Sequence, residues 1–366
     1  MIIQSLELAD FRNYETLGME FSEGTNIFYG DNAQGKTNIL ESIYMISTTK
    51  SNRGVKDRDL IRFGREEAHI RTVLIKNGID YKVDMHLRKN RSKGIAINGQ
   101  RIRKASELIG LLHMVFFSPE DLSIVKNGPS ERRRFMDVEL CQLDADYLYN
   151  LNHYNKIIDQ RNRLLKDIVR FPEMRDTLDV WDEQLVSYGR KIIERRSGFI
   201  NSLNEIVGGL HEKLSGGREK LVLSYEPNTD AVSFPDRLRD ARDRDCYLKQ
   251  TTTGPHRDDF SFFNADIDLR KFGSQGQQRT CALSLKLSEI EIVRQLTGDR
   301  PVLMLDDVLS ELDSRRQNYL LDTIGDIQTF ITCTGLDEFV NHRFAIDTLY
   351  RIEAGKVSRM SGPAVP

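Results

Sequence analysis

The run Gly30-Asp31-Asn32-Ala33-Gln34-Gly35-Lys36-Thr37 has the spacing GxxxxGK[ST]. Glycines at its two ends let the backbone curl so that N–H groups surround a phosphate. Lys36 then carries a charge to the β and γ phosphates, and the Thr37 hydroxyl is a Mg2+ ligand. The apolar Asn26-Ile27-Phe28-Tyr29 precedes the run, and Ile39, Leu40, Ile43 and Ile46 follow it at helical spacing. A phosphate cradle needs that succession of strand, loop and helix. The nucleotide set read here is Gly30, Asp31, Asn32, Ala33, Gln34, Gly35, Lys36, Thr37 and Asn38, with Lys36 also assigned to catalysis.

A second acidic element lies far downstream. Pro301-Val302-Leu303-Met304-Leu305 is an apolar strand ending in Asp306-Asp307, and carboxylates at the carboxyl end of such a strand sit where an α/β sheet places ligands. This is the Walker B position, with Asp306 expected to hold Mg2+ through water and Asp307 expected to polarise the attacking water. Between the two elements, Phe272-Gly273-Ser274-Gln275-Gly276-Gln277-Gln278-Arg279 opens a long helical pattern. In ABC-type ATPases a Ser/Gly segment at such a helix start grips nucleotide held by the other subunit, through backbone amides and the helix dipole. Ser274, Gln275 and Gly276 are assigned to that role. Leu214-Ser215-Gly216-Gly217 looks closer to a transporter signature, but a strand-like KLVLSY follows it, so it is expected to be a helix end and turn. Leu309-Ser310-Glu311-Leu312-Asp313 fits a loop that ABC dimers press together, or a plain N-cap with acids in the first turn.

These motifs need a sheet to position them. Residues 1 to about 115 alternate like strands, and the last third reads as helix 276–296, strand 301–305, helix 314–324 and strand 328–333, the grammar of a largely parallel sheet. From 131 to 214 the period becomes helical, with Phe171-Pro172 as a break, so an antiparallel helical hairpin is expected. The expected fold class is α/β: an ABC-ATPase-like head from 1–115 and 251–366, with an inserted helical lobe at 116–250. No apolar run approaches the roughly 18 residues of a membrane span, and the start lacks the pattern of a leader, so a soluble cytoplasmic protein is expected. The four cysteines lack CxxC spacing and read as reduced thiols. A net charge of −2 excludes nucleic-acid binding by bulk charge, leaving local patches.

The motifs taken together resemble the bacterial RecF family of recombination-repair proteins along essentially the whole chain. The resemblance runs through LADFRNY at 8–14, GDNAQGKTNILESI at 30–43, FFSPEDLSIVKNGPSERRRFMD at 116–137, TTTGPHRDDF at 251–260, FGSQGQQRT at 272–280 and LMLDDVLSELD at 303–313. It implies an ATP-dependent homodimer with slow, DNA-stimulated ATP hydrolysis. Such a dimer binds gapped or junction DNA, works with RecR and RecO, and helps RecA load. It also implies that Arg12 and Asn13 approach bound nucleotide, and that Ser118 to Asp121 replace a Mg2+-sensing glutamine loop without supplying the glutamine. Thr334 stands where transporters carry a switch histidine. A transporter subunit is opposed by these departures, and an SMC-type DNA organiser by the shortness of the helical arm.

For DNA, Arg88, Lys89, Arg91, Lys93, Arg101, Arg103 and Lys104 form a run with no acid from 88 to 106. A second group contains Lys50, Arg53, Lys56, Arg58, Arg62 and Arg65, and Arg132 to Arg134 form a third. Lys56, Arg58, Arg88, Arg91 and Lys93 are the named candidates for phosphate contact. His256 beside Arg257, Asp258 and Asp259 is a poor zinc set and is expected to have a structural or interface role.

Overall fold

The computed structural model describes residues 1–335 and 346–360. In chain order the strands are β1 (Ile2–Phe11), β2 (Tyr14–Glu20), β3 (Thr25–Tyr29), β4 (Glu67–Lys76), β5 (Ile79–Arg88), β6 (Arg91–Ile97), β7 (Gln100–Arg101), β8 (Met114–Phe117), β9 (Leu221–Glu226), β10 (Asp259–Asn264), β11 (Ile267–Asp268), β12 (Val302–Asp306), β13 (Thr329–Cys333), β14 (Thr348–Glu353) and β15 (Lys356–Met360). The helices are α1 (Lys36–Thr48), α2 (Leu122–Lys126), α3 (Pro129–Leu143), α4 (Ala145–Asp167), α5 (Leu178–Ser215), α6 (Phe234–Asp240), α7 (Arg242–Leu248), α8 (Leu269–Phe272), α9 (Gln275–Thr297) and α10 (Ser314–Thr323). Two compact units emerge, one from 1–121 with 289–366 and the other from 122–288.

The first unit is built from both ends of the chain. Its antiparallel sheet runs β2-β1-β4-β5-β6-β7, and its mostly parallel sheet runs β15-β14-β3-β13-β12-β8. Strict alternation explains the first sheet. In β4, Ala68, Ile70 and Thr72 are buried while Glu67, His69 and Arg71 face solvent, as a one-sided sheet requires. The core strands of the second sheet, β12 and β13, are buried at every position, the pattern of a strand covered on both faces. Apolar side chains of both sheets and α1 join in one core, with Leu8, Phe11 and Ile70 in contact with a cluster that includes Phe28, Ile39, Met304 and Phe330.

The second unit carries the helical arm and a three-stranded sheet in the order β11-β10-β9. Helices α4 and α5 pack as a hairpin around the Pro172 turn, and the 38 residues of α5 span about 57 Å. The first arm is not one helix. Asp144 stops α3 and caps α4, its carboxylate accepting from the N–H groups of Asp146 and Tyr147, because a side-chain acceptor there competes with helix continuation. The insertion also ends later than the expected 250: residues 251–288, with β10, β11 and the start of α9, pack with the helical lobe. Leu214-Ser215 closes α5, and Gly216 and Gly217 take left-handed φ of 76° and 77°, a glycine helix end. Among the described residues no helix is long and apolar enough to cross a membrane, and the four cysteines form no disulfide.

Candidate functional site

Parallel register brings the motifs to one edge. Asp306 is paired with Thr332, Cys333 with Tyr29, and Leu305 with Phe117. The loops after β3, β8, β12 and β13 therefore leave the sheet side by side, where open α/β sheets hold ligands.

The phosphate loop is braced from outside. Asn13 Nδ2 donates to Gln34 O at 3.1 Å, and Asn38 Nδ2 donates to Asn13 Oδ1 at 2.8 Å. The Tyr14 hydroxyl donates to Gly35 O at 3.1 Å, and Gly355 N–H donates to Gln34 O at 3.3 Å. These contacts dictate glycine. A Cβ on Gly35 (φ 114°) would lie 2.5 Å from Asn13 Nδ2, and one on Gly30 (φ 152°) would lie 2.3 Å from Ile352 O. Asp31, Asn32 and Ala33 stay exposed at the tip. Helix α1 starts at Lys36 with no side-chain cap and no acid in its first turn, so its leading N–H groups and dipole face outward for an anion. The Lys36 ammonium is nearly buried and donates to Gly30 O at 2.6 Å and Asp31 O at 3.0 Å.

Thr37 and Asp306 meet across the sheet. Thr37 Oγ1 donates to Asp306 Oδ1 at 2.9 Å, and Thr332 Oγ1 donates to the same oxygen at 2.7 Å. Burial raises the Asp306 carboxyl above its ordinary range, while the two hydroxyl bonds oppose the shift. A hydroxyl and a carboxylate brought together at 2.9 Å are hard oxygen donors of the kind Mg2+ takes, so the pair would fit that ion. Asp307 takes φ 52° and its N–H donates to Thr332 Oγ1 at 3.0 Å. A depression of about 170 Å³ lies beside it, lined by Asn52, Arg53, Ser118, Pro119, Glu120 and the two acids. Thr334 lines a neighbouring one with Asp307 and Ser310. Asp313 caps α10 through Arg316 N–H at 3.0 Å.

Arg12 follows β1 and is bonded to α1. It occupies a left-handed turn (φ 54°), and its guanidinium grips fully buried Glu41 through two bonds of 2.8 and 2.9 Å. Sequence reasoning missed Glu41. The available signal was an acid inside the apolar face of α1, which folding buries only if a cation meets it. The first unit thus assembles Gly30 to Asn38 with Asn13, Asp306 and Asp307. In the second unit Ser274 and Gln277 cap α9 reciprocally, at 2.8 and 3.3 Å, a capping box. Ser274, Gln275 and Gly276 remain exposed.

The basic candidates separate. Lys56 and Arg91 are exposed and have no ion-pair partner among the described residues, while Arg58 pairs loosely with Asp59 at 3.6 Å. Arg88 donates to His86 Nδ1 at 3.1 Å. Lys93 is turned inward, bonded to the Thr49 carbonyl and to Asp57 at 3.0 Å, unlike the other four candidates. Arg132 is buried against Asp259 at 2.6 Å, and Arg133 donates to Asp258 O at 2.8 Å, so two of the three arginines of the third patch are turned into the protein and Arg134 is exposed. The GPHRDD segment is a structural knot. His256 Nε2 donates to Thr251 O at 3.0 Å and its Nδ1 accepts from the Tyr154 hydroxyl at 2.9 Å, and burial lowers its pKa to about 4.

Comparison with known proteins agrees with this arrangement. The family model described as RecF/RecN/SMC N terminal domain matches residues 2–358. The DNA replication and repair protein RecF of Agathobacter rectalis is 61% identical over 98% of this chain and 99% of its own length. The RecF of Clostridium botulinum is 43% identical over 98% and 100%. A solved structure of the recombination mediator protein RecF-ATPrS in the RecFOR pathway superposes with a TM-score of 0.91 at 35% identity, covering 98% of each chain. An Smc head from Pyrococcus furiosus shares the fold, with a TM-score of 0.58 at 16% identity over 98% of this chain and 96% of its own. The chain belongs to the RecF family of DNA replication and repair proteins, and its head is an α/β ABC-type ATPase fold.

Proposed function

We propose that this protein is an ATP-switched, DNA-binding recombination mediator that closes as a homodimer on gapped or junction DNA. It hydrolyses ATP slowly, under DNA stimulation. Working with RecO and RecR, it promotes RecA loading, in the cytoplasm. The observation that carries the reading is the Thr37–Asp306 oxygen pair beside the uncapped start of α1, at the edge where four strands end. The loop from Gly30 to Gly35 presents backbone amides to the phosphates, and Asn13 and Asn38 hold it in shape. Lys36 exchanges its two carbonyl bonds for the β and γ phosphates. Thr37 and Asp306 hold Mg2+, which when bound neutralises charge on the phosphoryl oxygens. Asp307 orients the attacking water and accepts its proton. Arg12 acts in this site from its bond with Glu41.

The exposed Ser274-Gln275-Gly276 end of α9 supports a trans role, since the helix dipole ends there and the Ser274–Gln277 capping bonds can be exchanged for the γ-phosphate of a partner's nucleotide. The test is molecular mass in solution with and without ATP and DNA. Wild type doubles its mass with ATP, whereas Ser274→Arg binds ATP and stays monomeric. A Ser274→Arg protein that still doubles its mass would refute the trans assignment.

A further inference from the structure

Outside the nucleotide site, a second group of ligand-type side chains lies on the solvent face of the antiparallel sheet. Strands β4 and β5 pair with His69 directly opposite His86. Glu67, two residues before His69, points to the same face, while Ala68, Ile70, Met85 and Leu87 fill the core behind. That core fixes the register, because a slip of either strand by one residue would bury its imidazole and expose its apolar residues. The imidazole rings stack with centroids 3.9 Å apart, and His86 Nε2 lies 2.9 Å from Glu67 Oε2. One ligand atom from each of the three residues lies within 4.8 Å of the others.

We propose that Glu67, His69 and His86 form a binding site for a borderline divalent transition ion, taken as Zn2+, clasping β4 to β5 with one coordination position left to solvent. Two imidazole nitrogens and one carboxylate oxygen suit Zn2+ and not Mg2+, which prefers oxygen alone. Zinc bonds of about 2.0–2.2 Å place tetrahedral ligands roughly 3.3–3.5 Å apart, so the two rings must unstack by side-chain rotation for their nitrogens to converge, which their place on the exposed face allows. Arg71 does not compete, being held by Asp84 and Glu7.

Arg88 opposes the ion. It donates to His86 Nδ1 at 3.1 Å, which places the His86 proton on Nε2, toward Glu67. Zinc at Nε2 requires that proton to move to Nδ1 and Arg88 to turn away, so Arg88 weakens the site it borders. This gives the proposal two opposite signs to satisfy.

The experiment is calorimetric titration of the untagged full-length protein with Zn2+, in excess Mg2+ so that oxygen-only sites are filled. Wild type takes up one equivalent, His69→Gln and His86→Gln each weaken binding at least tenfold, and Arg88→Gln tightens it. Bound Co2+ gives visible ligand-field bands that the histidine variants lose, and Zn2+ raises the melting temperature of wild type alone among these three. Unchanged circular dichroism of the variants excludes a folding defect. Absence of Zn2+ uptake, or uptake that survives His69→Gln at full affinity, as with adventitious cysteine ligation, overturns the proposal.

Discussion

Two regions of this protein carry the same residue types, and only one of them is built to meet a ligand. In the phosphate loop, Lys36 is bonded to two carbonyls of its own loop, and Thr37 shares one carboxylate oxygen with Thr332. Those bonds are weak substitutes for phosphate and metal. In the GPHRDD segment, Arg196 is 2% exposed and donates to Pro255 O at 2.6 Å, Asp258 at 3.0 Å, Asp137 at 2.8 Å and the Tyr147 hydroxyl at 3.0 Å. Asp258 also accepts from Asn228 N–H at 2.8 Å and from the Tyr225 hydroxyl. The buried charges there are met by protein, and Arg257 alone of the segment's charged residues stays exposed. A cluster of charged residues signals chemistry when its bonds can be exchanged for a ligand's, and architecture when they are mutually saturated.

The saturated region should show the largest stability effect. Arg196→Met leaves Asp258 buried without its cation, and breaking such a pair costs about 3–5 kcal/mol. The lone tryptophan, Trp181, packs in the same unit against Leu164, Leu165, Ile168 and Leu178, so urea unfolding followed by its fluorescence reads the loss. A midpoint unchanged by Arg196→Met would end the contrast between the regions.

Lys36→Ala should do the reverse. The substitution removes the one ammonium of the phosphate loop, and ATP affinity should fall roughly 100-fold, equal to about 2.7 kcal/mol. The Trp181 transition without nucleotide should barely move, because Lys36 bonds only to its own loop carbonyls. Retained ATP affinity in a direct titration would show that the loop's amides suffice and that the assignment of Lys36 is misplaced.

Acid sharpens the comparison. The folded His256 pKa of about 4 lies below the ordinary 6.5 of the unfolded chain. The unfolded state therefore binds more protons between these values. The stability is fully present above about 6.5 and is lost as pH falls toward 4, with about 2 kcal/mol gone by pH 5. Asp258, raised by burial, acts with the opposite sign near its own lower range, so pH 7 to 5 is the window for His256. His256→Gln should flatten the Trp181 unfolding midpoint over that window, and an unchanged slope would assign the acid sensitivity to another group.

Much of this was legible in the sequence for a physical reason. The phosphate loop, the acids after β12 and the start of α9 are local patterns whose geometry follows from glycine conformation, strand periodicity and capping. The parallel alternation of the last third was equally local. What escaped depends on long-range partners. Lys93 reads as one more cation in a basic run until Asp57 and Thr49 are brought to it, and nothing local to Arg12 announces its bond with Glu41. The return of residues 251–288 to the helical lobe is likewise invisible to periodicity, since β10 finds its partner β9 across the chain.

The smallest effect tests the same distinction on the basic surface. Arg91 is exposed at the β5–β6 turn with no ion-pair partner among the described residues, whereas Lys93, two residues on, is held by Asp57 and Thr49. A cation that neutralises a phosphate releases counterions, so its loss should lower the salt slope of DNA binding by roughly one unit per contact, whatever the DNA sequence. Arg91→Gln should therefore flatten the dependence of log Kd on log salt by about one unit and leave stability unchanged. Lys93→Gln should leave that slope alone and lower the melting temperature slightly, because its ion pair is partly buried at the base of the hairpin. Should Lys93→Gln change the slope as much as Arg91→Gln, its ammonium leaves Asp57 when DNA binds, and the inward bond is exchangeable after all. Should neither change it, the phosphates are met elsewhere, and Lys56 and Arg58 are the next positions to substitute.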